Sequence, residues 1–214
     1  MNLFEYVSSR QELVVELTLQ HALVVALSIA IATIIGVGTG VLVYRRDRAA
    51  RMAIATAGVF LTIPSFALFG LLIAPLGLGY PPTVVALVLY ALLPILRNTV
   101  TGLRSVDPAV LESARGMGLG RRRRLLRIEL PLAWPVILTG IRVSTLVTLG
   151  IAAIAAAING PGLGDLIFEG IGRIGAVNAL NQTLTGILGV VVLALVFDTL
   201  FFGVRRLTTS RGVR

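Results

Sequence analysis

Most residues whose types and spacing could do chemistry lie in one polar stretch, residues 98–132, between two long apolar segments. Glu112 offers a single anion there, and the small residues Ser113, Ala114 and Gly118 lie beside it. Small side chains permit close approach of the backbone to another surface. The chemistry that this stretch supports is therefore contact with a partner.

The composition excludes most catalytic chemistry. The chain has no cysteine and one histidine, so thiol catalysis, disulfides and histidine-based metal or acid–base clusters are excluded. All nineteen cationic residues are arginine, and a chain without lysine cannot form the glycine loop with a following lysine that holds ATP phosphates. We predict no catalytic residues, no metal site and no cofactor bound by this chain.

The polar stretch is predicted to form two short helices. Asp107 followed by Pro108 is typical of a helix start, because aspartate caps free N–H groups and proline fits the first turn. Gly116 is predicted to end this helix after about two turns. A second helix is predicted over residues 121–129, ending at Leu130-Pro131 because the residue before proline disfavours helical geometry.

The elements that position this stretch are predicted to be membrane helices. The 214 residues are 56% hydrophobic and 14% charged, and the mean hydropathy is +0.93. A soluble domain would be about a quarter charged. The fold class is thus an all-α integral membrane protein, with an N-terminal interfacial segment (1–20), a transmembrane domain (21–204) that contains the loop 98–132, and a basic cytoplasmic tail (205–214).

Five apolar segments are long enough to cross a bilayer, which needs about 20 residues per helix. They are residues 21–44, 53–75, 83–96 (continuing to about 101), 133–158 and 183–204. No internal repeat is present, which gives no support to an inverted-repeat carrier.

The arginines determine the predicted orientation. Sixteen lie in the first connector, the long loop with its edge, and the tail, whereas only Arg10 and Arg173 lie on the other side. Under the positive-inside rule the N-terminus is outside and the C-terminus inside. The net positive charge is explained by retention of arginines on the cytoplasmic side of the membrane rather than by nucleic-acid binding. Residues 121–124 are interpreted as arginines that bind anionic lipid.

The loop contains Glu112-Ser113-Ala114, then Gly118 after three residues, then Ile128-Glu129-Leu130-Pro131 after nine more. This spaced pattern resembles the EAA loop of ABC-importer permeases, with Ser113 in place of the first alanine. The resemblance implies that the loop seats in a groove of a separate ATPase subunit, which binds ATP and Mg²⁺. The residues implied in this coupling are Glu112, Ser113, Ala114, Gly116, Gly118, Ile128, Leu130 and Pro131.

Other segments are similar to osmoprotectant permeases for glycine betaine, carnitine and choline. They are residues 64–70, 90–99 and 162–168, of which the last is also similar to methionine-importer permeases. The resemblance covers about residues 20–204 and implies a type I importer fold in a prokaryotic plasma (inner) membrane. It also implies two permease subunits, identical or paralogous, two ATPases and an extracytoplasmic binding protein. Alternatives are the same machine with methionine or another small solute, and an ion-coupled carrier working without ATP.

Several further residues are candidates for the pathway or its outer gate. Residues that could line the path are Pro64, Ser65, Phe66, Phe69 and Tyr90. By resemblance, the outer gate and the contact with the binding protein involve Gly162, Gly164 and Asp165. Charges inside the spans are costly. Arg142 is therefore expected near the interface, and Asp198 is expected to pair with Arg205 or Arg206. His21 is expected at the outer edge of span one, with no special role.

Overall fold

The computed structural model describes residues 2–208. Within that range all regular secondary structure is helical. Residues 209–214 of the predicted basic tail lie outside the described residues. The ten α-helices are α1 (Leu3–Ser9), α2 (Gln11–Val43), α3 (Asp47–Thr62), α4 (Ser65–Leu76), α5 (Tyr80–Arg104), α6 (Pro108–Gly116), α7 (Arg121–Arg124), α8 (Leu130–Ile154), α9 (Gly164–Gly172) and α10 (Ala179–Thr208).

Membrane-spanning elements agree in number with the sequence prediction. Four helical segments are long and apolar enough to cross a bilayer, at Gln11–Val43, Tyr80–Arg104, Arg121–Ile158 and Ala179–Thr208. Helices α3 and α4 meet at a 97° bend and add a fifth span if the pair crosses as one unit. The all-α membrane fold is confirmed, with four candidate spans, or five when the bent pair is counted.

Two span boundaries predicted from the sequence are wrong. Helix α2, which contains the first candidate span, begins at Gln11, so half of the predicted interfacial segment is continuous with that helix and only α1 is separate. The helix expected to end at Pro131 instead continues without interruption from Arg121 to Ile158. A π-turn at Leu125–Glu129 precedes the proline, and Leu130 N–H donates to Leu125 O. The wider turn avoids the clash between a proline ring and the carbonyl four residues earlier.

Helix α5 lies at the centre of the bundle and packs against α2, α3, α4 and α8. Glycines permit the closest approaches. A Cβ on Gly36 or Gly40 of α2 would lie 2.8 Å from Ile95 Cγ2 or 2.5 Å from Thr99 Cγ2 of α5, respectively. This Gly-x-x-x-Gly spacing is the small-residue pattern that brings membrane helices together, because lipid supplies no hydrophobic driving force between them.

Candidate functional site

The cytoplasmic helix α6 begins as the sequence predicts. The Asp107 carboxylate accepts a hydrogen bond from Ala109 N at 2.8 Å, and Pro108 occupies the first turn. One free N–H group of the helix start is thereby satisfied.

Helix α6 ends at Gly116, as predicted, but a later glycine adopts the left-handed conformation that terminates it. Gly116 is the last helical residue, and the residue that ends the helix is Gly118, with φ at +75°. Leu119 N–H donates to Ala114 O at 3.1 Å, and Gly118 N–H donates to Arg115 O at 2.9 Å. These two bonds form a Schellman motif, which needs a left-handed residue at the position of Gly118. Gly118 thus determines the direction in which the chain leaves α6.

The exposed surface of α6 and of the turn after it carries four of the eight predicted coupling residues. Glu112, Ser113, Gly116 and Gly118 are exposed, and the neighbouring Met117 is 72% exposed. Ala114, by contrast, is fully buried. The small side chain of Ala114 lets the helix pack inward, and its part in the coupling contact stays a prediction.

The second half of the predicted coupling pattern lies at the base of the loop. Ile128 belongs to the π-turn, and Leu130 and Pro131 begin α8. Leu130 is half-buried and packs against the hydrophobic core of the bundle, and Pro131 is exposed. These residues join the loop to the membrane domain rather than belonging to its projecting helix.

A buried ion-pair cluster at this base was not predicted. It consists of Tyr44, Arg45, Arg124 and Glu129. The Glu129 side chain is 1% exposed and accepts hydrogen bonds from Tyr44 Oη (2.5 Å), Arg45 Nη2 (2.9 Å) and Arg124 Nε (3.0 Å). Burial raises the pKa of the Tyr44 phenol, and the bond to Glu129 raises it further, so the phenol remains a donor.

Arg124 is therefore not a free membrane anchor, in contrast to the interpretation of all four consecutive arginines as lipid-binding. Its side chain is 8% exposed and paired with Glu129, whereas Arg121, Arg122 and Arg123 are exposed. One sequence signal could have identified the cluster. Glu129 is the only acidic residue beside five arginines, at positions 121–124 and 127, and is thus a candidate for an ion pair.

Arg104 completes the attachment of the loop. Its Nε donates to Tyr44 O at 2.7 Å, and its Nη2 lies 2.8 Å from Asp47 Oδ1. The end of α5 is thereby bound to the turn between α2 and α3. Together with the ion-pair cluster, this fixes both ends of the segment that carries α6.

The candidate path residues lie at the break between α3 and α4. Pro64 precedes α4, and the Tyr90 hydroxyl donates to the freed carbonyl of Ile63 at 2.6 Å. Tyr90 and Phe69 are buried in a core cluster, and their role in lining the path stays a prediction. Phe66 is exposed and its ring lies 6.1 Å from that of Phe168 in α9. Ser65, next to it, is half-buried.

The outer segment is packed more tightly than predicted. Gly162 has φ at +114°, and a Cβ there would lie 2.7 Å from His21 Nδ1. Gly162 and Gly164 are both buried, and their part in the outer gate or the binding-protein contact stays a prediction. The exposed part of this segment is residues 171–177, which includes Ile174 and Val177.

Asp165 is half-buried at the start of α9. Burial raises the pKa of its carboxyl, and the negative charge of Glu169 raises it further.

His21 lies well inside α2 rather than at the edge of a span. It is fully buried, and its Nε2 donates to Leu149 O of α8 at 3.1 Å. A carbonyl only accepts, so Nε2 carries the proton in this bond. His21 thus links α2 to α8.

Two intramembrane charges pair with each other, in contrast to the prediction. Arg142 Nε lies 2.6 Å from Asp198 Oδ1, and Arg142 Nη2 lies 2.9 Å from Oδ2. Arg142 is near the middle of α8, and it is a partner of Asp198 that the sequence did not predict. A bidentate pair reduces the cost of both charges in the bilayer.

These features define a class of protein: a multi-pass helical membrane component with an exposed helix in the loop between two of its spans. Residues 32–209 match the family model described as binding-protein-dependent transport system inner membrane component. The match covers most of the chain, which therefore belongs to this family. It is the permease of an ABC importer in the inner membrane and works with a binding protein and a separate ATPase.

Similar curated proteins extend over nearly the full length. The osmoprotectant import permease protein OsmW of Salmonella typhimurium is 40% identical, with all of both chains covered. The carnitine transport permease protein OpuCD of Listeria monocytogenes is 39% identical over 95% of this chain and 90% of the relative. The choline transport system permease protein OpuBB of Bacillus subtilis is 36% identical over 92% and 89%.

A solved structure shows the same fold. A chain of the MetNI methionine ABC transporter in an inward-facing conformation superposes with a TM-score of 0.82 at 21% identity. The superposition covers 94% of this chain and 99% of the other. The predicted type I importer fold is confirmed.

Proposed function

We propose that this chain is the permease subunit of an ATP-driven importer for quaternary-amine osmoprotectants of the glycine betaine, choline and carnitine class. A separate binding protein delivers the cargo. The cargo assignment is supported by the relatives named for osmoprotectant, carnitine and choline transport, which cover nearly the whole chain. The mechanism is supported by one observation above all: α6 is an exposed helix on a base held by buried ion pairs.

Helix α6 is the contact through which ATP hydrolysis acts on the membrane domain. Its exposed residues Glu112, Ser113 and Met117 meet the ATPase, and Gly118 directs the chain back to the base of the loop. The ion-pair cluster then transmits a displacement of α6 to α2 and α8, because Glu129 contacts groups from both sides of the base. Coupling of this kind requires elements that move as rigid units.

A substitution at Gly118 tests the coupling role. Valine there is strained at φ +75°, which disrupts the Schellman motif even though the space around Gly118 is open. We expect Gly118→Val to lose uptake and copurification with the ATPase, with normal membrane insertion.

Gly77 offers a matched control for this experiment. It has the same φ of +75° and equally open surroundings, but it lies in the turn between α4 and α5, on the outer side. Gly77→Val is strained at least as strongly, because the ψ of Gly77 is −155°, in a region that essentially only glycine occupies. It should nevertheless retain the ATPase. Unaltered uptake by the Gly118 variant would contradict the coupling role.

Phe66 and Phe168 are the residues of this chain best placed to meet a quaternary ammonium. A cation within about 6 Å of an aromatic ring is attracted by the ring quadrupole. The pair joins the candidate path in α4 to the outer segment. Phe66→Leu should lower uptake of cargo, whereas Phe202→Leu, which removes an exposed ring from the opposite end of the membrane domain, should not.

The cargo itself is tested on the cognate binding protein. Betaine, choline, carnitine and methionine are compared by equilibrium binding, and the quaternary amines should bind while methionine should not. Methionine binding instead would favour the same machine with another cargo. Transport that persists with the ATPase's catalytic residue disabled would favour an ion-coupled carrier. Two permease subunits, identical or paralogous, complete the proposed importer.

A further inference from the structure

A groove opens on the cytoplasmic side of the membrane domain, between the end of α2, the turn to α3, and α7. Its volume is about 640 Å³. The residues that line it come from two distant parts of the chain: Val41, Leu42, Val43, Tyr44, Arg45, Arg46, Ala49, Arg121, Arg122 and Leu125.

The rim of this groove carries unneutralised positive charge. Arg46, Arg121 and Arg122 are exposed, and among residues 2–208 no carboxylate lies within 4 Å of their guanidinium groups. The nearest acids along the chain are already occupied, since Asp47 pairs with Arg104 and the buried Glu129 with Arg45 and Arg124. A ligand of the rim must therefore be an anion.

The groove also has an apolar wall, which distinguishes it from a simple anion site. Leu42, in the last turn of α2, is 79% exposed, and Val41, Val43 and Leu125 are half-buried beside it. Helix α2 continues from here into the membrane, so the apolar wall lies below the arginines at the cytoplasmic boundary. An anionic head above an apolar chain matches this arrangement.

We propose that this groove is a binding site for an anionic phospholipid of the cytoplasmic leaflet. The phosphate lies between Arg46 and the two arginines of α7, and an acyl chain lies along Leu42. Basic pockets beside membrane helices on the cytoplasmic side suit such headgroups. The site adjoins Tyr44 and Arg45, so a bound lipid also supports the ion-pair cluster at the base of α6.

The site is tested with the full chain in neutral detergent, by native mass spectrometry and titration with phosphatidylglycerol or phosphatidylcholine. Two arginines at about 1 kcal/mol each correspond to roughly a thirty-fold loss of phosphatidylglycerol affinity in Arg46→Gln/Arg122→Gln. The matched control is Arg48→Gln/Arg51→Gln, which removes the same charge from exposed positions of α3 outside the groove. It should change the affinity less than about three-fold.

Three results would overturn the proposal. Equal losses in the two double variants would indicate diffuse attraction to a basic surface. Displacement of the lipid by millimolar inorganic phosphate at constant ionic strength would indicate a site for soluble anions. Loss of the lipid when the ATPase is added would assign the groove to the ATPase contact. If the double variant aggregates, Arg46→Gln alone decides, with about a five-fold loss expected.

Discussion

Replacing Glu129 with glutamine should destabilise the chain strongly. The substitution keeps the shape of the side chain but removes the negative charge that Arg45 and Arg124 share. Arg45 is 28% exposed and can turn toward water, whereas Arg124 is 8% exposed and is left as an uncompensated buried cation. The cost is therefore dominated by Arg124.

The magnitude follows from that exposure difference. Breaking a buried ion pair by removing one partner costs about 3–5 kcal/mol, and the partial solvation of Arg45 favours the lower end. We expect about 3 kcal/mol, or roughly a 150-fold fall in the ratio of folded to unfolded chain. The measurement is reversible unfolding of the purified chain in detergent.

Two further variants make this test specific. Glu129→Gln/Arg124→Gln should recover part of the lost stability, because it also removes the unpaired buried charge. Glu112→Gln, on the exposed face of α6, should change the free energy of unfolding by less than about 0.5 kcal/mol. A loss below about 1 kcal/mol for Glu129→Gln, or strictly additive effects in the double variant, would refute the reasoning.

Three other perturbations test the remaining features. Gly162→Ala should lower the free energy of unfolding by about 2 kcal/mol, because the new Cβ meets His21 and the φ of +114° is strained; a neutral effect would contradict the close packing. Arg142→Gln and Asp198→Asn should each destabilise the chain, and their double-mutant cycle should show a coupling of about 1–2 kcal/mol, with additivity counting against the pair. Asp165→Asn should stabilise the chain at pH 7 and flatten its pH profile. The raised pKa of Asp165 means that the folded state holds this proton more tightly. The wild-type contribution is thus complete below the ordinary aspartate pKa and is lost as the pH rises through the raised value. An unchanged profile in thermal unfolding between pH 4 and 8 would refute this.

The sequence alone determined the class, the predicted orientation and the position of helix α6. Spans can be predicted because lipid selects for length and hydropathy, which are local properties. The start of α6 is equally local, since the Asp107 carboxylate accepts a hydrogen bond from the N–H group of Ala109, two residues further along the chain. Family membership followed from the spaced pattern in the loop, and the comparison with known proteins confirmed it.

The effect of individual prolines on the helices was harder to predict. Pro64 indicated a kink, but the 97° break also depends on Tyr90, which accommodates the freed carbonyl from another helix. Pro131 indicated a helix end, but the π-turn before it lets the helix continue. In both cases a neighbouring element altered the outcome of a local rule.

Only the tertiary structure decided which charged residues meet. Glu129 and Arg45 are 84 residues apart in the chain, and Arg142 and Asp198 are 56 apart. From the sequence Arg142 belonged at an interface and Asp198 beside Arg205, because a charge is otherwise too costly in lipid. Packing of α10 on α8 provides the partner that makes both positions tolerable. Hydropathy along one helix contains no information about which helix lies beside it, and that neighbour determines which buried charges are paired.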